Sequence, residues 1–164
     1  ETYLRIISAK TAELFAAATK VGAILSDMKT KEKEALEFYG RNLGLTFQIA
    51  DDTLDYNSEL KLFGKKIGQD FYEGKITLPI ILLFQKAENK EKESLKNIFS
   101  KKIRNEDDLN YSLSLIKKYD VIKACYQKAQ HYINLASNSL SVFKDSEEKN
   151  ILFNLTSFSL SRNF

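Results

Sequence analysis

Tryptophan is absent from this chain, and cysteine and proline each occur only once among its 164 residues. The single cysteine, Cys125, excludes an internal disulfide and a cysteine-rich metal site, and it fits a reducing compartment such as the cytosol. One proline and six glycines leave few breaks in the backbone, which favours long helices over many turns. Eleven phenylalanines and eight tyrosines supply aromatic bulk for a core instead.

Long apolar runs and a concentrated charge of one sign are also missing. The longest apolar run, about residues 78–84, is too short to cross a bilayer, and nothing resembles a signal peptide. We therefore expect no stable membrane insertion and a cytoplasmic location. The net charge is +3 and the lysines are scattered among acids, so we expect no nucleic-acid partner.

Apolar residues recur at helical spacing along the chain, which predicts an all-α helical bundle that forms a single domain over residues 1–164. The first helix is expected from residue 2 to about 25, where alanines indicate close approach to another helix. Thr30 is a predicted N-cap for a second helix that runs to about Tyr56. A glycine-punctuated loop with a short helical piece follows, and Thr77 and Asn105 are predicted to begin later helices.

Asp51, Asp52 and Asp55 carry the chemistry that this sequence predicts. On an α-helix these positions fall within one third of the circumference, so three carboxylates project into one region beside apolar neighbours. Such carboxylates repel one another and lose solvation unless a cation compensates, and Mg²⁺ prefers their hard oxygens. The pattern therefore indicates a magnesium site. A solvated acidic helix face is the alternative, because the pattern also arises by chance.

Three basic or amide side chains favour magnesium bound to a diphosphate. Gln48 lies three and four residues before Asp51 and Asp52 and shares their helix face, so it can donate to a phosphate oxygen or orient a carboxylate. Lys65 and Lys75 lie in the glycine-punctuated loop, which could close over the same site. An acidic cluster with a nearby basic loop is the combination that a magnesium–diphosphate complex requires.

Residues 44–56, which contain the aspartates, resemble the second aspartate-rich motif of the trans-prenyltransferases, the polyprenyl diphosphate synthases. The family's order continues through Gly64-Lys65, Gly68-x-Asp70 and residues 73–79, and Lys10-Thr11 is similar to the family's Lys-Thr pair. The resemblance is strong from residue 3 to about 84 and weaker afterwards. It implies the C-terminal portion of an isoprenoid synthase fold, and residues 74–79 favour the octaprenyl-type branch.

The resemblance also implies roles for the polar residues. It assigns one Mg²⁺ on an allylic diphosphate to the carboxylates of Asp51, Asp52 and Asp55. It implies a substrate-binding set in which three lysines contact the diphosphate oxygens: Lys10, Lys65 and Lys75. Thr11 and Gln48 would assist in positioning the diphosphate, and Lys10 and Lys65 are the implied catalytic residues. The implied reaction is ionisation to an allylic cation, attack by isopentenyl diphosphate, and loss of a proton to the pyrophosphate, which completes one five-carbon extension.

The family uses two aspartate-rich motifs that face each other, and this chain contains one of them. We expect the other motif, the residues that bind isopentenyl diphosphate and the positions that limit product length to precede Glu1. The chain alone is therefore expected to bind magnesium–diphosphate weakly and to catalyse little or no elongation. The alanine-rich face of the first helix leads us to expect that this helix forms a homodimer contact in the intact protein.

Three classes of function stay open at this point: a chain-elongating prenyltransferase, a catalytically silent prenyltransferase-like subunit, and a helical interaction module with an incidental acidic patch. Other polar residues favour structural roles. His131 stands alone in its predicted helix, Cys125 has no partner histidine nearby in sequence, and Asp107-Asp108 is typical of negative charge at a helix N-terminus.

Overall fold

The computed structural model of the chain describes residues 1–57 and 67–161, and every regular element in these two ranges is a helix. The predicted all-α class is therefore confirmed. The α-helices, in chain order, are α1 Thr2–Ile7, α2 Glu13–Leu25, α3 Thr30–Leu54, α4 Gln69–Glu73, α5 Leu78–Lys86, α6 Asn89–Ser100, α7 Glu106–Lys118, α8 Val121–Ser139 and α9 Glu147–Ser161. A π-helical turn, Ser8–Ala12, joins α1 to α2, and a 3₁₀ turn, Leu140–Val142, follows α8.

The helices divide into two compact units. The first unit contains residues 1–50 and 127–164, and the second contains residues 51–126. Helix α3 contributes residues to both units, as does α8. Across the described residues, each helix is either too short or too polar to cross a lipid bilayer.

The core of the first unit is built around Tyr39 of α3, whose side chain is fully buried. It packs with Leu43, Ala136 and Leu140 from α3, α8 and the 3₁₀ turn. Burial raises the pKa of the Tyr39 phenol to about 12, and its hydroxyl donates a hydrogen bond to the carbonyl of Leu152 in α9, at 2.8 Å. The phenol therefore stays protonated and links α9 to this core.

Small residues let α3 approach the π turn closely within the first unit. Ala12 and Ala16 are buried, whereas Ala17 and Ala18 are exposed, so only part of the alanine-rich segment packs against the unit. A Cβ atom placed on Gly44 of α3 would lie 2.6 Å from the Cα of Ala12. The predicted close approach of the first helix to another helix is confirmed, and glycine at position 44 is what permits it.

The second unit packs around Phe71 of α4, which is fully buried. Its ring meets the ring of Phe99 in α6 edge to face, with centroids 5.4 Å apart, and Phe84 of α5 lies 6.3 Å from the same Phe99 ring. The second unit also buries aliphatic side chains of the flanking helices, among them Ile80, Leu83, Leu95, Leu109, Leu115, Ile116 and Val121.

Several helix ends lie where the sequence predicts them. Thr77 is the N-cap of α5 with proline in the first turn, and Asn105 caps α7 by accepting a hydrogen bond from the Asp108 amide at 2.9 Å. Helix α3 differs slightly, because Thr30 is already helical and the Lys29 amide donates to the carboxylate of Glu32 at 2.8 Å. The helix also ends at Leu54, earlier than expected.

Because Gly44 lies so close to Ala12, we expect a side chain at position 44 to lower the stability of the fold. In Gly44→Ala the new methyl group must push apart two backbones, so we expect the free energy of unfolding to fall by about 1–3 kcal/mol. The matched control is Gly22→Ala, since Gly22 is also helical but has no atom within 4 Å of the point that a Cβ would occupy. Alanine there is expected to raise the free energy of unfolding by about 0.5–1 kcal/mol. Equal shifts in urea denaturation of the two variants would contradict this packing.

Candidate functional site

The three predicted metal ligands lie at and just beyond the end of α3. Asp51 and Asp52 belong to the last turn of the helix, where Asp51 is exposed and Asp52 is buried. Asp55 follows the last helical residue, Leu54, and is half-buried in a turn. Asp51 and Asp52 therefore follow ideal helix geometry, while the turn rather than the helix sets the direction of Asp55.

Asp55 holds the beginning of α4. Its carboxylate oxygens accept hydrogen bonds from the amides of Gln69 and Asp70, each at 2.9 Å, and its carbonyl accepts from the amide of Gly68 at 2.8 Å. Burial raises the pKa of the Asp55 carboxyl above its ordinary value, and the bonds from Asp70 and Gln69 act in the opposite direction. The side chain thus satisfies two amides at the start of a helix, which otherwise lack partners.

The donor set fits a hard cation, but its arrangement differs from a formed metal centre. Among residues 1–57 and 67–161, no three His, Cys, Asp or Glu side chains are grouped so that they could hold a metal ion. Each Asp55 oxygen keeps a further lone pair beyond its amide bond and remains able to coordinate.

Lys75 lies directly after α4 and Gly74, within the second unit. Its ammonium group contacts Asp70 Oδ1 at 2.9 Å and Glu73 Oε2 at 2.6 Å, and its amide donates to the carbonyl of Asp70 at 2.9 Å. The hydrogen bonds to Glu73 and Asp70 raise the pKa of Lys75 above its ordinary value. The lysine is therefore charged, half-exposed, and connected through Asp70 to the carboxylate of Asp55.

Thr11 and Gln48 meet within the first unit. The Thr11 hydroxyl donates to Gln48 Oε1 at 2.7 Å, and Gln48 is buried with 5% of its surface exposed. Lys10 and Thr11 both lie in the π-helical turn, and the Lys10 side chain is exposed. Single π turns inside α-helices occur frequently at functional sites. Lys65, the other predicted catalytic lysine, lies outside the described residues.

Two further side chains near the carboxylates are deeply buried. Cys125 has no exposed surface, and burial raises the pKa of its thiol to about 12, which agrees with a packed residue rather than a nucleophile. Tyr56 is 1% exposed, and its hydroxyl lies beside that of Thr77. Burial, and secondarily the charge of Asp55, raise the pKa of Tyr56.

The residue that sequence reasoning misses is Arg104, between α6 and α7. It is 8% exposed, and its guanidinium donates to the carbonyls of Phe71 and Tyr72 in α4. No sequence signal marks this role, because the acceptors are backbone carbonyls, which every residue carries. Asp70 and Glu73, which hold Lys75, do lie within the stretch that carries the family resemblance.

The sequence of this chain is similar to known proteins over nearly its whole length. The family model described as polyprenyl synthetase matches residues 1–116. A short chain isoprenyl diphosphate synthase from Methanothermobacter thermautotrophicus is 35% identical over 99% of this chain and 49% of its own length. The octaprenyl diphosphate synthase of Haemophilus influenzae is 29% identical over the same shares. The chain thus spans about half the length of the curated relatives it matches.

Solved structures agree with these relatives. A decaprenyl diphosphate synthase from Rhodobacter capsulatus superposes with a TM-score of 0.91 and 34% identity, over 99% of this chain and 50% of that one. A polyprenyl synthase from Caulobacter crescentus, solved with calcium and isoprenyl diphosphate, gives a TM-score of 0.90 and 38% identity, over 99% and 49%. The fold is that of the all-α isoprenoid synthases. The chain belongs to the polyprenyl synthetase family of trans-isoprenyl diphosphate synthases.

Proposed function

We propose that this chain is part of a magnesium-dependent prenyltransferase that condenses isopentenyl diphosphate onto an allylic diphosphate. The observation that carries the proposal is the run from Asp51 to Lys75, in which an aspartate-rich motif is joined through Asp55 and Asp70 to a charged, half-exposed lysine. Membership in the polyprenyl synthetase family supports this reaction class.

Asp51, Asp52 and Asp55 are the proposed magnesium ligands. When bound, the metal would neutralise the diphosphate and stabilise it as a leaving group. Lys75 would donate to diphosphate oxygens, for which its ammonium group must turn from Asp70 and Glu73 or bind while keeping one of them. The calcium-containing structure of the Caulobacter crescentus relative supports the use of a divalent cation by this family.

Lys10, Thr11, Gln48 and Lys65 are proposed diphosphate-binding residues on the family resemblance, with Lys10 and Lys65 as the catalytic pair. The exposed position of Lys10 and the bond from Thr11 to Gln48 support the first three assignments. Thr11 donates to the oxygen of the Gln48 amide and so fixes the orientation of that amide. Thr11 and Gln48 would then act as one unit in positioning the substrate.

The product is proposed to be of the octaprenyl type, on the pattern of residues 74–79. The names of the relatives span short-chain, octaprenyl and decaprenyl enzymes, so the family as a whole does not fix the length. We propose that residues 1–164 act as one domain, since the family match crosses both units, and that the protein is cytoplasmic, as its single cysteine suggests.

Magnesium-dependent pyrophosphate binding by the chain tests the metal assignment. Isothermal titration with pyrophosphate is expected to give binding with Mg²⁺ and none with EDTA. Asp51→Asn and Asp52→Asn keep the side-chain volume and remove one ligand charge, so each is expected to weaken binding about tenfold or more. The matched control is Asp107→Asn, an exposed aspartate of the second unit at the start of α7. Equal weakening in all three variants, or binding that ignores Mg²⁺, would argue for a helical interaction module instead.

Elongation by the chain alone tests whether it supplies one of two metal half-sites. Because it carries one aspartate-rich motif, the purified 164-residue chain is expected to incorporate little or no labelled isopentenyl diphosphate into an allylic primer. Addition of the family's other half in trans is expected to raise incorporation. Robust incorporation without it would refute the half-site proposal.

A homodimer of the intact protein is proposed to use the first helical segment. Apolar side chains exposed on α2 support an interface there, with Leu14 and Leu25 at 74% and 82% exposure. Sedimentation equilibrium of the intact protein is expected to give a dimer that Leu14→Lys weakens. A monomeric wild type would contradict the proposal.

A further inference from the structure

We infer that Arg104 is a positioning residue that fixes the segment of residues 68–75, and with it the ammonium group of Lys75, for binding of a diphosphate. This inference rests on the proposed function. Arg104 lies outside the sequence motif, 29 positions after Lys75, in the connection between α6 and α7.

Helix α4 cannot hold its own shape. It has five residues, far fewer than an isolated helix needs in water. Glycines flank it on both sides, Gly68 with φ 83° and Gly74 with φ 76°, both in the left-handed region. External contacts must therefore keep α4 and the lysine that follows it in place.

The two ends of α4 are held by opposite charges. At the beginning, the Asp55 carboxylate accepts from the amides of Gln69 and Asp70. At the end, Arg104 Nε donates to the Phe71 carbonyl at 2.7 Å and Nη2 donates to the Tyr72 carbonyl at 3.1 Å. Each charge lies at the helix end where the helix dipole favours it.

Arg104 is itself fixed by the end of α6. Its Nη1 donates to the carbonyl of Lys101 at 2.8 Å and, more weakly, to that of Phe99 at 3.4 Å. Its guanidinium carbon lies 5.9 Å from the centroid of the Phe99 ring, within range of a cation–π interaction. The side chain is 8% exposed, so the guanidinium links two helix ends as a buried and well-bonded group.

One residue, Gly74, connects the carbonyl that Arg104 binds to Lys75. The Gly74 amide donates to the same Phe71 carbonyl that accepts from Arg104, at 3.0 Å, and the next amide, that of Lys75, donates to Asp70 at 2.9 Å. A Cβ on Gly74 would lie 2.4 Å from Arg104 Nη2, so the guanidinium packs directly on the turn. Release of Arg104 frees this turn, and the position of the Lys75 ammonium group depends on the turn.

Lysine cannot reproduce this contact fully. The planar guanidinium presents Nε and Nη2 in a fixed fork that meets two successive carbonyls, whereas a lysine ammonium is a single point on a flexible stem. Arg104→Lys keeps the charge and should recover part of the function. Arg104→Met keeps only the apolar stem.

The experiment compares these variants in the whole protein that contains this chain, with two controls. Lys102→Gln removes an exposed charge two residues away. Lys101→Gln removes the ion pair with Asp108 (2.6 Å), which weakens the same connection without touching the Lys101 carbonyl that Arg104 uses. The rate of hydrogen exchange at the Gly74 and Lys75 amides measures how firmly the turn is held. Titration of inorganic pyrophosphate in the presence of Mg²⁺ measures how well the site binds it.

We expect Arg104→Met to speed exchange at Gly74 and Lys75 and to raise the Kd for pyrophosphate, each by about tenfold. Arg104→Lys should show an exchange rate and a Kd between those of this variant and the wild type. If Arg104→Met fails to fold, the comparison of Arg104→Lys with the wild type tests the inference. Lys102→Gln should change neither quantity, and Lys101→Gln should lower Tm without weakening pyrophosphate binding.

Unchanged exchange in the Arg104 variants would overturn the inference, as would wild-type affinity despite faster exchange. Loss of affinity in Lys101→Gln at a matched fall in Tm would also overturn it, since general destabilisation would then explain the effect. If the wild type binds no pyrophosphate with Mg²⁺, the proposed function fails, and the diphosphate role of Arg104 falls with it. The exchange data would still show whether Arg104 holds the turn, so the two failures are distinguishable.

Discussion

Crowding of negative charge where α3 ends is the constraint on which the arrangement of residues 51–75 depends. Three carboxylates within five positions cannot share one apolar environment, and they lie in three different ones: Asp51 exposed, Asp52 buried, and Asp55 bonded to the amides of α4. The amides that stabilise Asp55 are also those that a five-residue helix leaves unpaired. The carboxylate and the helix therefore stabilise each other, and a change in the coordination of Asp55 would be transmitted to α4.

The helix boundaries that the sequence predicts are those with a local chemical cause. Thr77 with Pro79, and Asn105 with Asp108, act within one turn of the backbone, so residue type and spacing are sufficient to locate α5 and α7. The π turn has no such cause. Thr11, inside it, bonds to Gln48 from a position 37 residues away, and a contact at that separation is invisible to helical periodicity.

The candidate site divides in the same way. The carboxylates and Lys75 can be proposed from the sequence, because charged side chains in a motif indicate their chemistry. The hydrogen bonds and ion pairs that these side chains form cannot be predicted in this way. Helical geometry places Asp55 in line with Asp51, whereas the chain has already left the helix at that point. Arg104 is the extreme case, since it donates to the backbone carbonyls of residues 71, 72, 99 and 101. Every residue carries a carbonyl, so the residue types at these positions do not predict the contacts.

Charge balance explains why a diphosphate would require a metal here. Residues 51–75 contain six carboxylates and four lysines, a formal net charge of −2, and Lys75 is already paired with Asp70 and Glu73. A diphosphate is a multiply charged anion, so this segment would repel it on balance at short range. The proposed divalent cation on the aspartates would offset this net charge and reduce the repulsion, and Lys75 could then donate to the phosphate oxygens while keeping one of its carboxylate partners. In the proposed site the lysine would contribute a directed hydrogen bond rather than the bulk of the charge, and this contribution would depend on how firmly the turn after α4 is held.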